Sequence, residues 1–346
     1  MTSEHEIASY DFAVPTEQIA QEPLRERDAS RLLVLERAAG ALRHGFFREL
    51  PELLRPGDLL VLNRSRVFPA RLLGIRPGGG AAEILLVRRR EPGLWDALVR
   101  PGRRLRAGAT VTIAPGFSAR LESEPAGATR LVRLSADDGD TEAAVERHGH
   151  VPLPPYIRRA DAPADRERYQ TVFSREPGSV AAPTAGLHFT PELLARLAAR
   201  GIAATTLMLH VGPGTFRPVE VDDVRDHKVD AEPYTIPAEA ASAFAGARAE
   251  GRRVLAVGTT TIRALESAID ANGQLRSGPG ETSLVIVPGH RFRAIDALIT
   301  NFHLPRSSLL LLVSAFAGRE RLLGAYREAV RARYRFYSYG DAMLVQ

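Results

Sequence analysis

Hydrophobic and polar positions along this chain follow two different periods, and the change between them divides it. Near the amino end, "SRLLVLER" is an apolar run that predicts a strand, "FFRELPELL" predicts a helix, and "PGDLLVLN" predicts a turn leading into a second strand. From about Arg71 to Arg147 the texture becomes short alternating segments broken by glycine and proline: "ARLLGI", "AEILLVRRR", "WDALVR", "ATVTIAP", "FSARLES" and "TRLVRLS". Roughly five to seven short strands at this spacing predict a small barrel or sandwich. After "HGHVPLPPYIRR" helical and strand periods alternate. "TPELLARLAARG" reads as a helix with a threonine cap, proline at its first position and a glycine stop. "IAATTLMLHVG" and "RRVLAVG" read as strands, and "PAEAASAFAGARAEG" and "TTTIRALESAID" as helices. "ETSLVIVPG" and "DALITNFH" read as two further strands, and the amphipathic helix "GRERLLGAYREAVRARY" closes the chain. The expected architecture is α/β. Residues 1–66 and 150–346 form a discontinuous α/β catalytic domain, and residues 67–149 form a small inserted β-barrel domain.

Composition fits this picture. At roughly 150 residues per domain, 346 residues suit about two domains. Apolar residues at 45% and charged residues at 25% leave material for a sizeable core. The absence of cysteine excludes disulfides, thiolate zinc sites and cysteine nucleophiles. The run "SSLLLLVSAFAG" is too short to span a bilayer and reads as a buried helix or strand. "MTSEHEIASYDF" has no signal-peptide pattern, so a cytoplasmic location is expected. The formal charge is +5, and Lys228 is the single lysine among 46 basic residues. A GC-rich genome accounts for much of that arginine bias. It nevertheless leaves a surface rich in planar forks suited to phosphate, which permits a nucleic-acid partner without demanding one.

Candidate chemistry collects in the turns that follow predicted strands. "GSVAAPTAGLHFT" surrounds His188 with small residues, among them Ser179, Thr184 and Gly186, and small side chains let a ligand approach the backbone. A tightly packed loop with a structural histidine has the same composition. "VGTTTIRALES" sets Gly258, Thr259 and Thr260 at a strand-to-helix turn ahead of Arg263. The first-turn N–H groups there attract anions and hydroxyls, although a plain helix cap needs only one threonine. "LHVGPGTFRPV" carries His210, Gly212 and Gly214, and "DHKVDAEPY" carries His227 and Glu232, a pattern shared with solvated loops. "ITNFHLPRSS" places Asn301 and His303 just past a strand. The proline-stiffened "HGHVPLPPYIRR" ends in Tyr156, Arg158 and Arg159, and "SRVFPARL" adds Arg66. These suit phosphate contacts, and a domain linker or solvated face would look the same. No histidine spacing matches a metal site.

Taken in order, "AQEPLRERDASRLLVL", "PGDLLVLN", "HGHVPLPPYI", "RYQTVFSREPGSVAAPTAGLHFT", "LHVGPGTFRPV", "VGTTTIRALES", "LITNFHLPRSSLLLLVSAF" and "YRFYSYGDAML" resemble the S-adenosylmethionine:tRNA ribosyltransferase-isomerase family of queuosine biosynthesis. The likeness runs from about Tyr10 to the carboxyl end and is weakest in the inserted β region. Two positions depart from the family pattern. Asp230 stands where a second histidine usually follows His227, and Arg64 stands where Asp or Asn usually follows Asn63.

The resemblance implies transfer and isomerisation of the ribosyl part of S-adenosylmethionine (AdoMet) onto 7-aminomethyl-7-deazaguanine at the tRNA wobble position. Epoxyqueuosine forms, and adenine and methionine leave. AdoMet is then a consumed substrate with no other cofactor or metal, tRNA is the partner, and a monomer suffices. Proton removal beside the sulfonium calls for a base, for which His188 or His303 is expected. His210, His227 and Glu232 follow as acid or ribose contacts. Ser179, Thr184, Gly186, Gly212, Gly214, Gly258, Thr259, Thr260, Arg263 and Asn301 are expected to hold substrate, with Arg263 pairing the AdoMet carboxylate. Arg66, Tyr156, Arg158 and Arg159 are expected to meet tRNA. Two rival readings stay open: a non-catalytic tRNA-binding protein with an OB-like platform, to which Trp95 and Phe117 offer few rings for stacking, and a metal-dependent hydrolase.

Overall fold

The computed structural model describes residues 4–124, 128–216 and 218–346. Its centre is a nine-stranded mixed sheet. The strand Leu59–Asn63 lies between Ala203–Leu209 and Val254–Val257, parallel to both, and Val254–Val257 is parallel to Ala297–Asn301. All four therefore end at the same edge. Glu232–Ile236 and Gly278–Thr282 extend one side antiparallel. On the other side lie Ala342–Val345, Arg31–Leu35 and Leu42–Phe46.

Strand alternation feeds two cores. Leu33, Leu35, Leu59, Val61, Leu207, Leu209, Val254 and Ala256 face one side, under the helices Ala238–Ala249, Thr259–Ala268, Ser308–Ala317 and Arg319–Arg331. Leu32, Val34, Leu60, Leu62, Leu255 and Val257 face the other, under Leu50–Leu53 and Pro191–Ala199. The capping reading of the latter helix matches its geometry: Thr190 Oγ1 accepts the Leu193 N–H at 3.1 Å, and Pro191 opens the first turn.

Two local expectations need correction. "ETSLVIVPG" does not continue as a strand beyond Thr282, because Leu284 and Ile286 turn into the core individually instead of pairing. The helix Arg319–Arg331 does not close the chain. Ala342–Val345 follows it as a fully buried strand, parallel to Arg31–Leu35 and antiparallel to Ala297–Asn301, so the two ends of the sequence are joined inside the sheet.

Six strands, Arg71–Arg76, Gly80–Glu91, Leu94–Arg100, Thr110–Ala114, Phe117–Leu121 and Arg130–Ala136, close into a barrel. Alternate residues such as Leu72, Ile84, Leu86, Val111, Leu121 and Val132 fill it. The helix Thr141–His148 packs Ala144 and Val145 onto that core and is capped by Asp140 Oδ1, which accepts from Glu142 and Ala143. Between barrel and sheet, Ser65–Val67 pairs in parallel with Glu176–Ser179 and ties the two bodies together. Among the described residues, no helix is long and apolar enough to cross a membrane.

Candidate active site

The edge where the four parallel strands end is organised by Asn63. Its Oδ1 accepts from the Leu209 and Ser65 amides, both at 3.1 Å, and its Nδ2 donates to Leu209 O at 3.0 Å and Thr260 Oγ1 at 3.4 Å. One side chain thus fixes three strand ends relative to one another. Beside it, Gly258 (φ +90°) leads into the helix Thr259–Ala268, whose first turn has no side-chain cap. Its N–H groups are left for a ligand or solvent.

A pocket of about 50 Å³ opens at this edge. It brings together Thr184, Gly258, Thr259, Thr260, Asn301, His303 and Tyr156 from the candidate set, with Thr300, Tyr337 and Ser338. His303 is fixed at both ends: its N–H donates to Tyr326 Oη at 2.8 Å, and Nε2 lies 2.7 Å from Thr300 Oγ1. Burial pushes its pKa down to about 3, so the imidazole is neutral. Asn301 Nδ2 donates to Tyr337 O at 2.9 Å, while its Oδ1 is buried without a partner. Tyr156 Oη is 2.6 Å from Ser338 Oγ.

His188 lies behind this pocket and does not line it. Its ring stacks on Phe47 at 4.9 Å, and Nδ1 is 2.7 Å from Ser30 Oγ. Burial lowers its pKa to about 4, with Asn301 opposing the shift and the charges of Arg27 and Arg335 adding to it. Nε2 is buried without a partner at normal hydrogen-bond geometry. The small residues of "GSVAAPTAGLHFT" therefore do not clear space around His188. Ala181, Ala182 and Ala185 line the pocket of His303, Gly186 packs against Phe173 and Thr171, and Gly178 packs against His210. Ser179 is a tie: Oγ donates to Ser65 Oγ at 3.0 Å and accepts the Val211 N–H at 2.9 Å.

Val211 and Leu309 separate the pocket from a much larger cleft of about 800 Å³ between barrel and sheet. His210, Gly212, Gly214, Glu232 and Arg263 line it. One Glu232 oxygen accepts the Gly212 N–H at 2.8 Å and the other pairs with Arg263. Arg263 also donates to Leu284 O at 3.0 Å and Thr282 O at 3.4 Å. Its guanidinium is held within the protein, which argues against the expected carboxylate pairing with AdoMet. Burial lowers the His210 pKa and Glu176 opposes it. The insert contributes Phe68 stacked on Trp95, with centroids 5.2 Å apart; Trp95 was named from the sequence and Phe68 was not.

The remaining candidates are scattered. His227 lines neither space, and burial lowers its pKa. Arg66 and Arg158 are exposed. Arg159 is engaged internally by Asp165, at 2.6 and 2.9 Å, and by Glu22. Asn63, Thr300, Tyr326, Tyr337 and Ser338 were missed as site residues. The aromatic-rich "YRFYSYGDAML" was the available signal for the last two. Among the described residues, no three His, Asp or Glu side chains gather as a metal site.

A family model described as queuosine biosynthesis protein matches residues 7–345. The chain belongs to that family. It is 54% identical over 341 residues to the S-adenosylmethionine:tRNA ribosyltransferase-isomerase of Moorella thermoacetica, covering 98% of this chain and 99% of the relative. It is likewise 54% identical over 349 residues to the protein of that name from Thermus thermophilus, covering 98% and 99%. The crystal structure of an S-adenosylmethionine tRNA ribosyltransferase from Thermotoga maritima is similar, with a TM-score of 0.56 and 39% identity over 98% of this chain and 100% of that one. Of the eight segments that carried the family resemblance, six meet around the small pocket: those containing Tyr156, Thr184, Val211, Gly258, His303 and Ser338.

Proposed function

We propose that this protein transfers and isomerises the ribosyl moiety of AdoMet onto 7-aminomethyl-7-deazaguanine at the wobble position of tRNA, forming epoxyqueuosine and releasing adenine and methionine. The observation that carries this reading is the convergence of six family segments, distant in sequence, on one polar pocket beside a large cleft. Pockets for small-molecule ligands run to roughly 300–1,000 Å³. The cleft at about 800 Å³ meets that range and the pocket at about 50 Å³ does not. The reading is therefore that AdoMet and the flipped base lie in the cleft, with the ribose reaching past Val211 and Leu309 toward His303.

The sulfonium acidifies the adjacent ribose C5′–H. His303, held neutral by burial, accepts that proton while adenine departs with the electrons of its glycosidic bond. The C5′–H electron pair forms C4′=C5′ as C4′–O4′ breaks and C1′=O4′ forms. The tRNA amine then adds at C4′, passing its surplus proton to adenine, C5′ closes onto the C1′ carbonyl, and the resulting alkoxide displaces methionine from C5′ to form the epoxide. A pKa of about 3 makes His303 a weak base in the empty pocket; the negative charge that develops on departing adenine would raise it as the reaction proceeds. The uncapped helix start at Thr259 and Thr260 suits the ribose hydroxyls or the methionine carboxylate. His188 acts in this scheme as a positioning residue for Asn301.

The same reading carries a division into residues 1–66 with 150–346 and residues 67–149, a monomer acting on tRNA in the cytoplasm, and AdoMet as substrate with no further cofactor. Incubation with AdoMet and tRNA bearing the aminomethyl base tests it. Adenine release matched by the ribosyl-derived mass gain on the tRNA is expected. Intact AdoMet, beside a control enzyme active on the same tRNA, would return the non-catalytic tRNA-binding reading.

A further inference from the structure

Behind His188, Arg27 and Arg168 line one hollow, and Arg335 lies close enough to His188 for its charge to act on it. Arg27 donates to Leu187 O at 3.2 Å and Glu167 O at 3.0 Å. Arg168 donates to Leu24 O at 2.6 Å and Arg25 O at 2.8 Å, and Arg335 donates to Glu22 O, so the last two grip one stretch of chain. Among the described residues, none of the three forms an ion pair, whereas their neighbours Arg31 and Arg159 do, with Asp341 and Asp165. Arg168 Nε and Arg335 Nη1 are buried with no hydrogen-bond partner. Arg27, Arg168, Ser30, His188 and Ser338 line a shallow hollow of about 20 Å³.

Leaving a partly buried charge without an ion-pair partner is unfavourable, and two such cations on one hollow leave a place for an anion. We propose that Arg27 and Arg168, which line this hollow, form a seat for one phosphodiester group of the RNA strand that carries the modified nucleotide. The hollow has room for an oxygen or two and none for a base or an amino acid, so the ligand must be a small oxyanion whose remainder stays outside. Guanidinium forks match phosphate geometry. Ser338 lines both this hollow and the His303 pocket, so a phosphate seated here lies one side chain from the pocket that would receive the neighbouring nucleotide's reacting group. Burial presses the Arg27 and Arg335 pKa values down and Arg168 adds to the effect on Arg27, while Glu167 opposes it at Arg27 and Asp341 at Arg335. An anion would relieve that penalty, and would also lift the field that Arg27 and Arg335 exert on His188. Docking of the RNA and the readiness of the site would then be linked.

This inference rests on the tRNA reading above. Its test is the binding of an anticodon stem-loop RNA bearing the aminomethyl base to wild type, Arg27→Gln and Arg168→Gln across a salt series, with AdoMet affinity measured in parallel. Each variant should lose roughly tenfold in RNA affinity and about 0.7–0.9 from the salt slope, with AdoMet affinity within about twofold of wild type. Unchanged RNA affinity would overturn the seat. So would loss of AdoMet affinity in its place, which would make the oxyanion the amino-acid carboxylate. A second measurement needs no variant: single methylphosphonate replacements along the loop, bound to wild type, should reveal one or two neighbouring phosphates whose neutralisation costs about tenfold. A flat profile overturns the proposal even if a glutamine variant fails to fold. Wild-type adenine release in the same preparation separates failure of the seat from failure of the ribosyltransferase reading.

Discussion

In and behind the pocket at the strand ends two imidazoles are neutral, whereas in the cleft beyond Val211 and Leu309 a carboxylate and a guanidinium face each other as a buried pair. His303 and His188 sit among hydroxyls, an amide and aromatic rings, with no carboxylate to hold a proton on them, and burial drives both pKa values to about 3 and 4. Glu232 and Arg263 are equally dry but have each other and a backbone amide. The difference shows how one protein can keep two dry sites with opposite charge states. An unpaired group answers burial by losing its charge, and a paired one keeps it. The first kind of site can move protons; the second can fix geometry and orient a polar ligand.

The sharpest way to break this contrast is His303→Ala. Removing the proton acceptor should lower the rate of adenine release by roughly 10²–10⁴-fold while AdoMet and tRNA affinities change little. A loss below tenfold would move the proton transfer out of the pocket, and His210 in the cleft would be the next imidazole to replace. Glu232→Gln comes next in size. It leaves Arg263 buried without its counter-charge, and urea unfolding should report a loss of about 3–5 kcal/mol. The double variant Glu232→Leu with Arg263→Met should recover much of that loss. If the single change is as mild as the double, the pair is wetter than the geometry implies.

The fold was legible wherever one local pattern decided it. Six alternating segments gave the barrel, and Thr190 with Pro191 announced a helix. Ala342–Val345 was not legible as a central strand. Its four residues acquire a partner only when Arg31–Leu35, some three hundred residues earlier, is brought alongside, and no periodicity records that. The site divides in the same way. Gly258, Asn301 and His303 could be read because strand-end turns with polar residues are recognisable locally. His188 and Arg263 were read as facing a substrate because a sequence names a reactive group without its partner. Ser30 lies 158 positions from His188, and Glu232 lies 31 from Arg263.

Acid should act on the two buried imidazoles. His188 titrates at about 4 in the folded protein and near 6.5 when unfolded, so between those values the unfolded chain binds a proton that the native chain does not. Stability is fully present above about pH 6.5 and falls as pH drops through 6.5 toward 4, by on the order of 3 kcal/mol from this group. His303 acts in the same direction over a wider window, down to about pH 3. Denaturant melts at half-unit pH steps check this, and His188→Asn should flatten the slope by up to one proton. An unchanged slope in that variant would mean that His188 is not dry, and the contrast with the cleft would lose one of its two supports.

The smallest effect sharpens the comparison at the boundary of the two sites. Gly178 has φ +144°, and a Cβ there would stand 2.6 Å from His210 Cε1 and 2.9 Å from both ring nitrogens. Gly178→Ala therefore meets both a strained backbone and an occupied space, and should cost about 1–3 kcal/mol, read as a lower Tm. The ring of His210 is the part that can yield, and it can move only toward the cleft, away from the strand Glu176–Ser179. That movement trades burial for solvent, so the depressed His210 pKa should climb back toward its ordinary value while those of His188 and His303 stay low. NMR titration of the three imidazoles in this variant separates the sites directly. If all three shift together, pocket and cleft are one electrostatic environment, and the assignment of proton transfer to one and binding to the other fails with it.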